Sequence, residues 1–199
     1  MKSDPADLAA MISRAQADRN AGKDGLPPVE RWNPDYCGDI DMEIRADGTW
    51  FYMGTPIGRP ALVRLFSTVL RRDEDEKTYL VTPVEKIGIR VVDAPFLAVE
   101  MSVREEDGEQ VLTFRTNVGD VVRAGPDNPL RFVVTGETDQ LKPYILVRGR
   151  LEALVNRAVT YDLLALGKEV EIDGEAIYAV RSAGSVFPIM PMARLEAEA

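Results

Sequence analysis

"YILVRGRLEALVNRAVTYDLLALG", residues 144–167, decides how the rest of the chain is organised. Tyr144 to Gly149 reads as a strand, Arg150 to Gly167 as a helix, and a turn at Asp173-Gly174 then leads into the strand "AIYAVRS". The same order stands earlier. "MGTPIGRPALVRLFSTVL", residues 53–70, runs a glycine-bearing turn into a helix, and the strand "KTYLVTP" follows. Setting Gly58-Arg59 against Gly149-Arg150 gives an offset of 91, and Tyr79 against Tyr178 one of 99. A longer helix and loop in the second copy accounts for the difference. The expectation is an internal duplication, against the plainer reading that strand–helix–strand is a common arrangement.

The 199 residues suffice for one sizeable core or two small ones. A formal charge of −9 repels a phosphate backbone over any broad surface, so neither nucleic acid nor an anionic membrane is an expected partner. No apolar run approaches the length of a membrane span, and the acids of "MKSDPADLAAMISRAQADRN" stand where a signal peptide needs apolar residues. A cytoplasmic location is expected. With no histidine and a single cysteine, Cys37, the chain has no intrachain disulfide, imidazole–thiolate zinc site, Ser-His-Asp triad or Cys-His dyad. A carboxylate site for a hard cation stays open.

Between residues 7 and 21, Leu8, Met11, Ile12 and Ala15 fall at helical spacing. The loop after it, rich in Gly, Pro, Asn and Asp, is expected to wedge Val29, Trp32 and Tyr36 onto the body, with Cys37 as a small buried hydrophobe. "DIDMEIRADGTWFYMG" is a hairpin turning at Ala46-Asp47-Gly48, because Gly accepts the positive φ of a tight turn. Leu62, Leu65, Phe66, Val69 and Leu70 then follow a core-facing helical pattern that stops at a solvated charge run, Arg71 to Glu76. "VEKIGIRVV" is a strand. "PFLAVEMSVREEDGEQVLTFRTN" is a long hairpin turning at Asp107-Gly108, with Leu97, Val99, Met101 and Val103 on one face. "DVVRAG" and "LRFVVTG" flank a turn at residues 125–129.

"GTPIGRP" places Gly54, Gly58 and Arg59 ahead of a helix, where unpaired backbone N–H groups attract anions. It lacks the spacing and the Lys-Ser/Thr of a nucleotide-triphosphate loop. The bland reading is a helix start, with Pro60 at the first helical position. In the functional reading, Arg59 is a forked donor for a phosphate or carboxylate.

Taken together, "WNPDYCGDIDMEI", "DGTWFYMGTPIGR", "LVTPVEKIGI", "VVDAPF", "LTFRTNVGD" and "VRGRLEALVNRAVTYDLL" resemble, in that order, a bacterial family catalogued as domain of unknown function 1285, over about residues 26–190. The resemblance implies an α+β protein with a duplicated core of two small subdomains. The second would be an antiparallel, barrel-like sheet with a helix, superficially like a pleckstrin-homology fold. It further implies a small, nucleotide-like ligand in a cleft between the subdomains, and a signalling role. The expected division is an N-terminal helix and wedge loop over 1–37, a first subdomain over 38–92, a second over 93–192 and a tail over 193–199.

The expected ligand-binding residues are Arg59, Thr82, Lys86, Arg115, Asn117, Arg148 and Arg150. Thr82 and Lys86 of "VTPVEK" offer a hydroxyl and a cation, with a solvated strand face as the alternative. Arg115 and Asn117 lie in "FRTNVGD", where Asn is otherwise a turn former. Arg148 and Arg150 flank Gly149 and should project to one side of an extended strand, with salt bridges to Glu152 or Asp162 as the alternative. Asp39, Asp41 and Glu43 share a strand face, yet an exposed acidic face explains them as well as a metal would, so no metal or cofactor is expected. The leading expectation is a non-catalytic module for a small anionic ligand, with a protein–protein interaction domain as the alternative and a carboxylate- and metal-dependent hydrolase after it. A homodimer is the default assembly for a chain of this size.

Overall fold

The computed structural model describes residues 25–135 and 140–197, together with Ala10. The helix expected over residues 7–21 lies otherwise outside the described residues. The chain divides into two compact units: residues 1–95 with 149–151, and residues 96–148 with 152–199.

The first unit is built on a six-stranded sheet. Its strands are β1 (Tyr36–Ile44), β2 (Trp50–Tyr52), β3 (Thr55–Pro56), β4 (Leu70–Arg72), β5 (Thr78–Val81) and β6 (Lys86–Val91), in the order β3-β2-β1-β6-β5-β4. Two antiparallel three-stranded ribbons meet at a parallel β1–β6 pair. Helix α1 (Pro60–Ser67) connects the ribbons. Phe66 stacks on Trp50 at 6.3 Å between centroids, and both are fully buried beside Met42, Ile44 and Leu80. Burying each such side chain is worth about 1.5–3 kcal/mol.

The second unit repeats this topology. Its strands are β7 (Phe96–Glu106), β8 (Glu109–Thr116), β9 (Val121–Arg123), β10 (Leu130–Thr135), β11 (Gln140–Arg148) and β12 (Leu151–Val155), in the order β10-β11-β12-β7-β8-β9. The outer strands are again joined through a parallel central pair, here β7–β12. Helix α2 (Arg157–Leu164) follows β12 and is capped by Asn156, whose side chain accepts from the Val159 N–H. A three-stranded antiparallel sheet of β13 (Lys168–Ile172), β14 (Glu175–Ser182) and β15 (Ser185–Pro191) precedes helix α3 (Met192–Ala197). The chain is therefore α+β with duplicated sheets, one of them a curled half-barrel.

The register of the duplication differs from the one expected. Residues 151–155 pair with β7 as strand β12 and do not begin a helix, so Gly149-Arg150 is a turn with no counterpart in Gly58-Arg59. Instead, β1 corresponds to β7 and β6 to β12, and the hairpin turns Asp47-Gly48 and Asp107-Gly108 correspond, sixty residues apart. Asp107 and Gly108 both have positive φ, the mirror-image turn that matches strand twist. The first copy spends its β3–β4 connection on α1, whereas the second crosses from β9 to β10 by a loop.

Four local expectations are corrected. The helix ends at Ser67, and Leu70 and Arg71 belong to β4, because pairing with Leu80 and Tyr79 captures them. Arg71 is consequently buried, not solvated. Tyr36 and Cys37 are exposed, since they lie at the start of β1 ahead of an irregularity at Tyr36/Asp39. In β7 the register shift between Ala98 and Glu100 changes the buried phase: Phe96 and Ala98 are core, Leu97, Val99 and Met101 are half-buried, and Val103 is exposed.

Candidate functional site

One face of the first unit's sheet carries a polar row set by strand register. Arg71 on β4 stands opposite Tyr79 on β5, Tyr79 opposite Gly88 on β6, and Gly88 opposite Asp39 on β1. At Gly88 a β-carbon would collide with Oδ1 of Asp39 and touch the Tyr36 ring, so glycine lets the carboxylate lie across β6. The Tyr36 hydroxyl donates to that oxygen at 2.7 Å, and the Tyr36 and Tyr79 rings meet edge to face at 6.1 Å.

The Arg71 guanidinium is the buried end of the row. Its Nε donates to Oδ1 of Asp73 at 2.6 Å, and its Nη1 donates to the carbonyls of Val29 and Trp32 at 2.9 and 2.7 Å. A single side chain thereby ties down the short 3-10 turn Val29–Arg31. The half-buried position of Trp32 follows from this anchor, as does the burial of Val29.

Lys86 donates to Oδ2 of Asp73 at 3.2 Å and lies over the Tyr79 ring, 4.7 Å from its centroid. Burial pushes the Asp73 carboxyl up, but hydrogen bonds from Arg71 and Lys86 outweigh it and hold the group below the usual carboxylate range. The Tyr79 hydroxyl donates to Oδ2 of Asp75 at 2.5 Å, and chiefly through that bond its pKa is pushed up to about 12. The same bond is the main cause holding Asp75 down. Asp39 similarly raises Tyr36, through the hydrogen bond first.

Asp39 and Gly88 also border a recess of about 380 Å³. Three cations, Arg72, Lys77 and Arg90, share its lining with Glu76 and Asp93, over an apolar patch from Ile40, Ile89 and Val91. The Arg72 Nε donates to the Glu76 carbonyl at 3.2 Å, which holds the β4–β5 turn over one side. Arg90 pairs with Glu43 at 3.3 Å while remaining largely exposed. The Lys77 backbone N–H donates to Oδ1 of Asp75 at 3.1 Å, and its side-chain charge helps hold that carboxyl down. The volume lies within the range usual for small-molecule sites.

The residues singled out from the sequence are distributed between the units. Arg59 is exposed at the N-cap of α1, where it makes no side-chain cap bond. Thr82 is buried, and its hydroxyl accepts from the backbone of Val84 and Glu85, which makes it the pivot of the β5–β6 turn. Lys86 belongs to the Asp73 cluster.

In the second unit Arg115 grips Glu100 with two nitrogens across the β7–β8 pair. Asn117 serves Leu97 as a strand neighbour would: its Oδ1 accepts the Leu97 N–H at 3.0 Å, and its own N–H donates to the Leu97 carbonyl at 2.8 Å. Arg148 pairs with Asp120 at 2.7 Å and lies over the Phe96 ring. Arg150 belongs to the first unit, where it pairs with exposed Glu74 at 3.0 Å. Gly149, at φ 52°, turns the chain between the two arginines, so they do not share one side of an extended strand. Glu152 pairs with Arg131 instead. Asp39 and Glu43 are engaged by Tyr36, Arg45 and Arg90. Among the described residues no group of three or more acids, cysteines or histidines is arranged to hold a metal ion, and no helix is long and apolar enough to cross a membrane.

Reading the sequence did not single out buried Arg71, nor bring Arg72, Lys77 and Arg90 to one recess. The available signal was the alternation of Gly88 and Arg90 on one side of "KIGIRV" opposite the acids of β1.

Comparison with known proteins places this geometry in context. Residues 27–94 match the model of the domain of unknown function DUF1285, N-terminal domain, and residues 95–189 match that of the DUF1285 C-terminal domain. A crystal structure of a DUF1285 family protein from Silicibacter pomeroyi DSS-3 is 47% identical, with a TM-score of 0.83, covering 98% of this chain and 100% of that one. A second, from Shewanella baltica OS155, is 26% identical with a TM-score of 0.49, covering 62% of this chain and 90% of that one. No curated protein matches.

Proposed function

From the premise that the chain belongs to the DUF1285 family, we propose that it is a non-catalytic regulatory module that binds a small anionic, hydroxyl-bearing, nucleotide-like ligand in the recess of its first unit. The observation that carries this reading is the gathering of Arg72, Lys77 and Arg90 around one recess in a chain of net charge −9. Cations there would take a phosphate or carboxylate, and Asp39 and Glu76 would accept from hydroxyls. The apolar strip would support a ring or a carbon skeleton.

A thermal-shift screen of the purified protein against nucleoside monophosphates, sugar phosphates and inorganic phosphate tests the reading, since a ligand of the folded state raises the melting temperature. The expected result is a shift that Arg90→Gln and Lys77→Gln abolish and Arg59→Ala preserves. A shift lost only in Arg59→Ala would move the ligand to the start of α1, and no shift with any compound would remove the proposal. The interaction-domain reading has one observation in its favour: β13 is an exposed edge of its three-stranded sheet.

A further inference from the structure

The second unit has a recess of its own, about 240 Å³, where the β14–β15 hairpin meets the β7–β8 turn. Lys168 on β13 stands opposite Ala179 on β14, and Arg181 lies two residues further on the same side of β14. Diagonal neighbours of this kind are about 7–8 Å apart, within reach of one another's long side chains. Both cations line the recess, and neither has a carboxylate partner among the described residues. Two like charges set side by side repel, and an anion bridging them would remove that cost.

The remaining polar groups divide into those already committed and those available. Buried Ser182 is committed: its hydroxyl donates to the Ala124 carbonyl at 2.7 Å and accepts from the Leu112 N–H at 2.9 Å. Gln110 donates its amide to the Arg181 carbonyl at 2.7 Å, which fixes the end of β14 and leaves its own side-chain oxygen as an acceptor. Across the recess Glu109 lies against Gly184, its Oε2 3.4 Å from where a β-carbon would stand. The Ser185 hydroxyl completes the lining.

We propose that this recess is a second, independent ligand site, for a small phosphate or carboxylate that also carries a hydrogen-bond donor. Lys168 and Arg181 take the anionic group, and Glu109 with the Gln110 oxygen accepts from the donor. The volume is smaller than that of the first unit's recess and below the usual range for larger ligands, so the ligand is a few-atom species without a base.

The test is an amide-resolved NMR titration of the full chain with inorganic phosphate, at ionic strength held constant with sodium chloride, repeated with sulfate. Saturable shifts are expected at Gly108, Gly184 and Ser185, with affinity reduced roughly tenfold in Arg181→Gln and in Lys168→Gln. Glu109→Gln should erase most of the preference for phosphate over sulfate, because the carboxylate that accepts the phosphate proton is gone. Phosphate, which keeps a proton at neutral pH, should bind more tightly than sulfate. Non-saturating shifts, or shifts unchanged in Arg181→Gln, overturn the site. A preference for phosphate left unchanged in Glu109→Gln overturns its orientation, and equal affinity for sulfate in the parent overturns the donor requirement. Amides at Ile89 and Arg90 report on the first unit separately, so failure of one site is distinguishable from failure of the other.

Discussion

Oδ1 of Asp39 occupies the space that Gly88 leaves open by lacking a β-carbon, and it is held there by the Tyr36 hydroxyl at 2.7 Å. Strand register alone puts these residues together, since Asp39 and Gly88 are direct partners in the parallel β1–β6 pair. Gly88→Ala should therefore displace the carboxylate without unfolding the sheet, because the far end of an exposed side chain can swing away. The expected outcome is a melting temperature close to that of the parent and a Tyr36 pKa that falls back toward its ordinary value. Phenolate absorbance on alkaline titration reads this, with Asp39→Asn as the matching variant.

Arg71→Met should cost about 2–3 kcal/mol, because it deprives two backbone carbonyls and Asp73 of a charged donor while Lys86 stays to serve the carboxylate. Residues 29–32 should then detach locally. A red shift of Trp32 fluorescence and faster proteolysis in that stretch, together with a lower denaturant midpoint, would record it.

The Tyr79–Asp75 pair gives a pH dependence with a definite sign. Tyr79 is raised from 10.0 to about 12, so its contribution to stability is complete below its unfolded value and is lost as the pH rises through about 12. Asp75 is lowered, so its contribution is present above the ordinary carboxylate pKa of about 4 and is lost as the pH falls through the depressed folded value. Asp75→Asn should flatten both limbs and bring the Tyr79 titration to lower pH, as followed by thermal melts and phenolate absorbance.

Asn117→Ala should lower stability by about 1 kcal/mol through loss of the side-chain acceptor for the Leu97 N–H. Asn117→Asp keeps that acceptor and should retain most of the stability. Urea midpoints of the two variants separate this local role from a general effect of substitution.

These residues also mark where the sequence could be read and where it could not. The Asp-Gly turns at 47–48, 107–108 and 173–174 were legible because the turn chemistry is local, and all three have a glycine at positive φ. "LEALV" was not legible. Leu151, Ala153 and Val155 are buried at period two, yet apolar residues at 151, 154 and 155 equally fit a helix. What decides the matter is parallel pairing with Phe96–Ala98, more than fifty residues away in the chain. β15 was hidden by Pro188 and Pro191, which an edge strand tolerates. Arg71 looked solvated because its neighbours are charged, and the carbonyls that bury it lie about forty residues upstream. For the site, the row Arg71–Tyr79–Gly88–Asp39 exists only once three strand pairings are known.

The most direct measurement of the central claim is an amide-resolved NMR titration of the full chain with adenosine 5′-monophosphate. Saturable shifts are expected at Lys77, Gly88, Ile89 and Arg90, with affinity reduced roughly tenfold in Arg90→Gln. Shifts that do not saturate, or that bypass these residues and persist unchanged in Arg90→Gln, would contradict it.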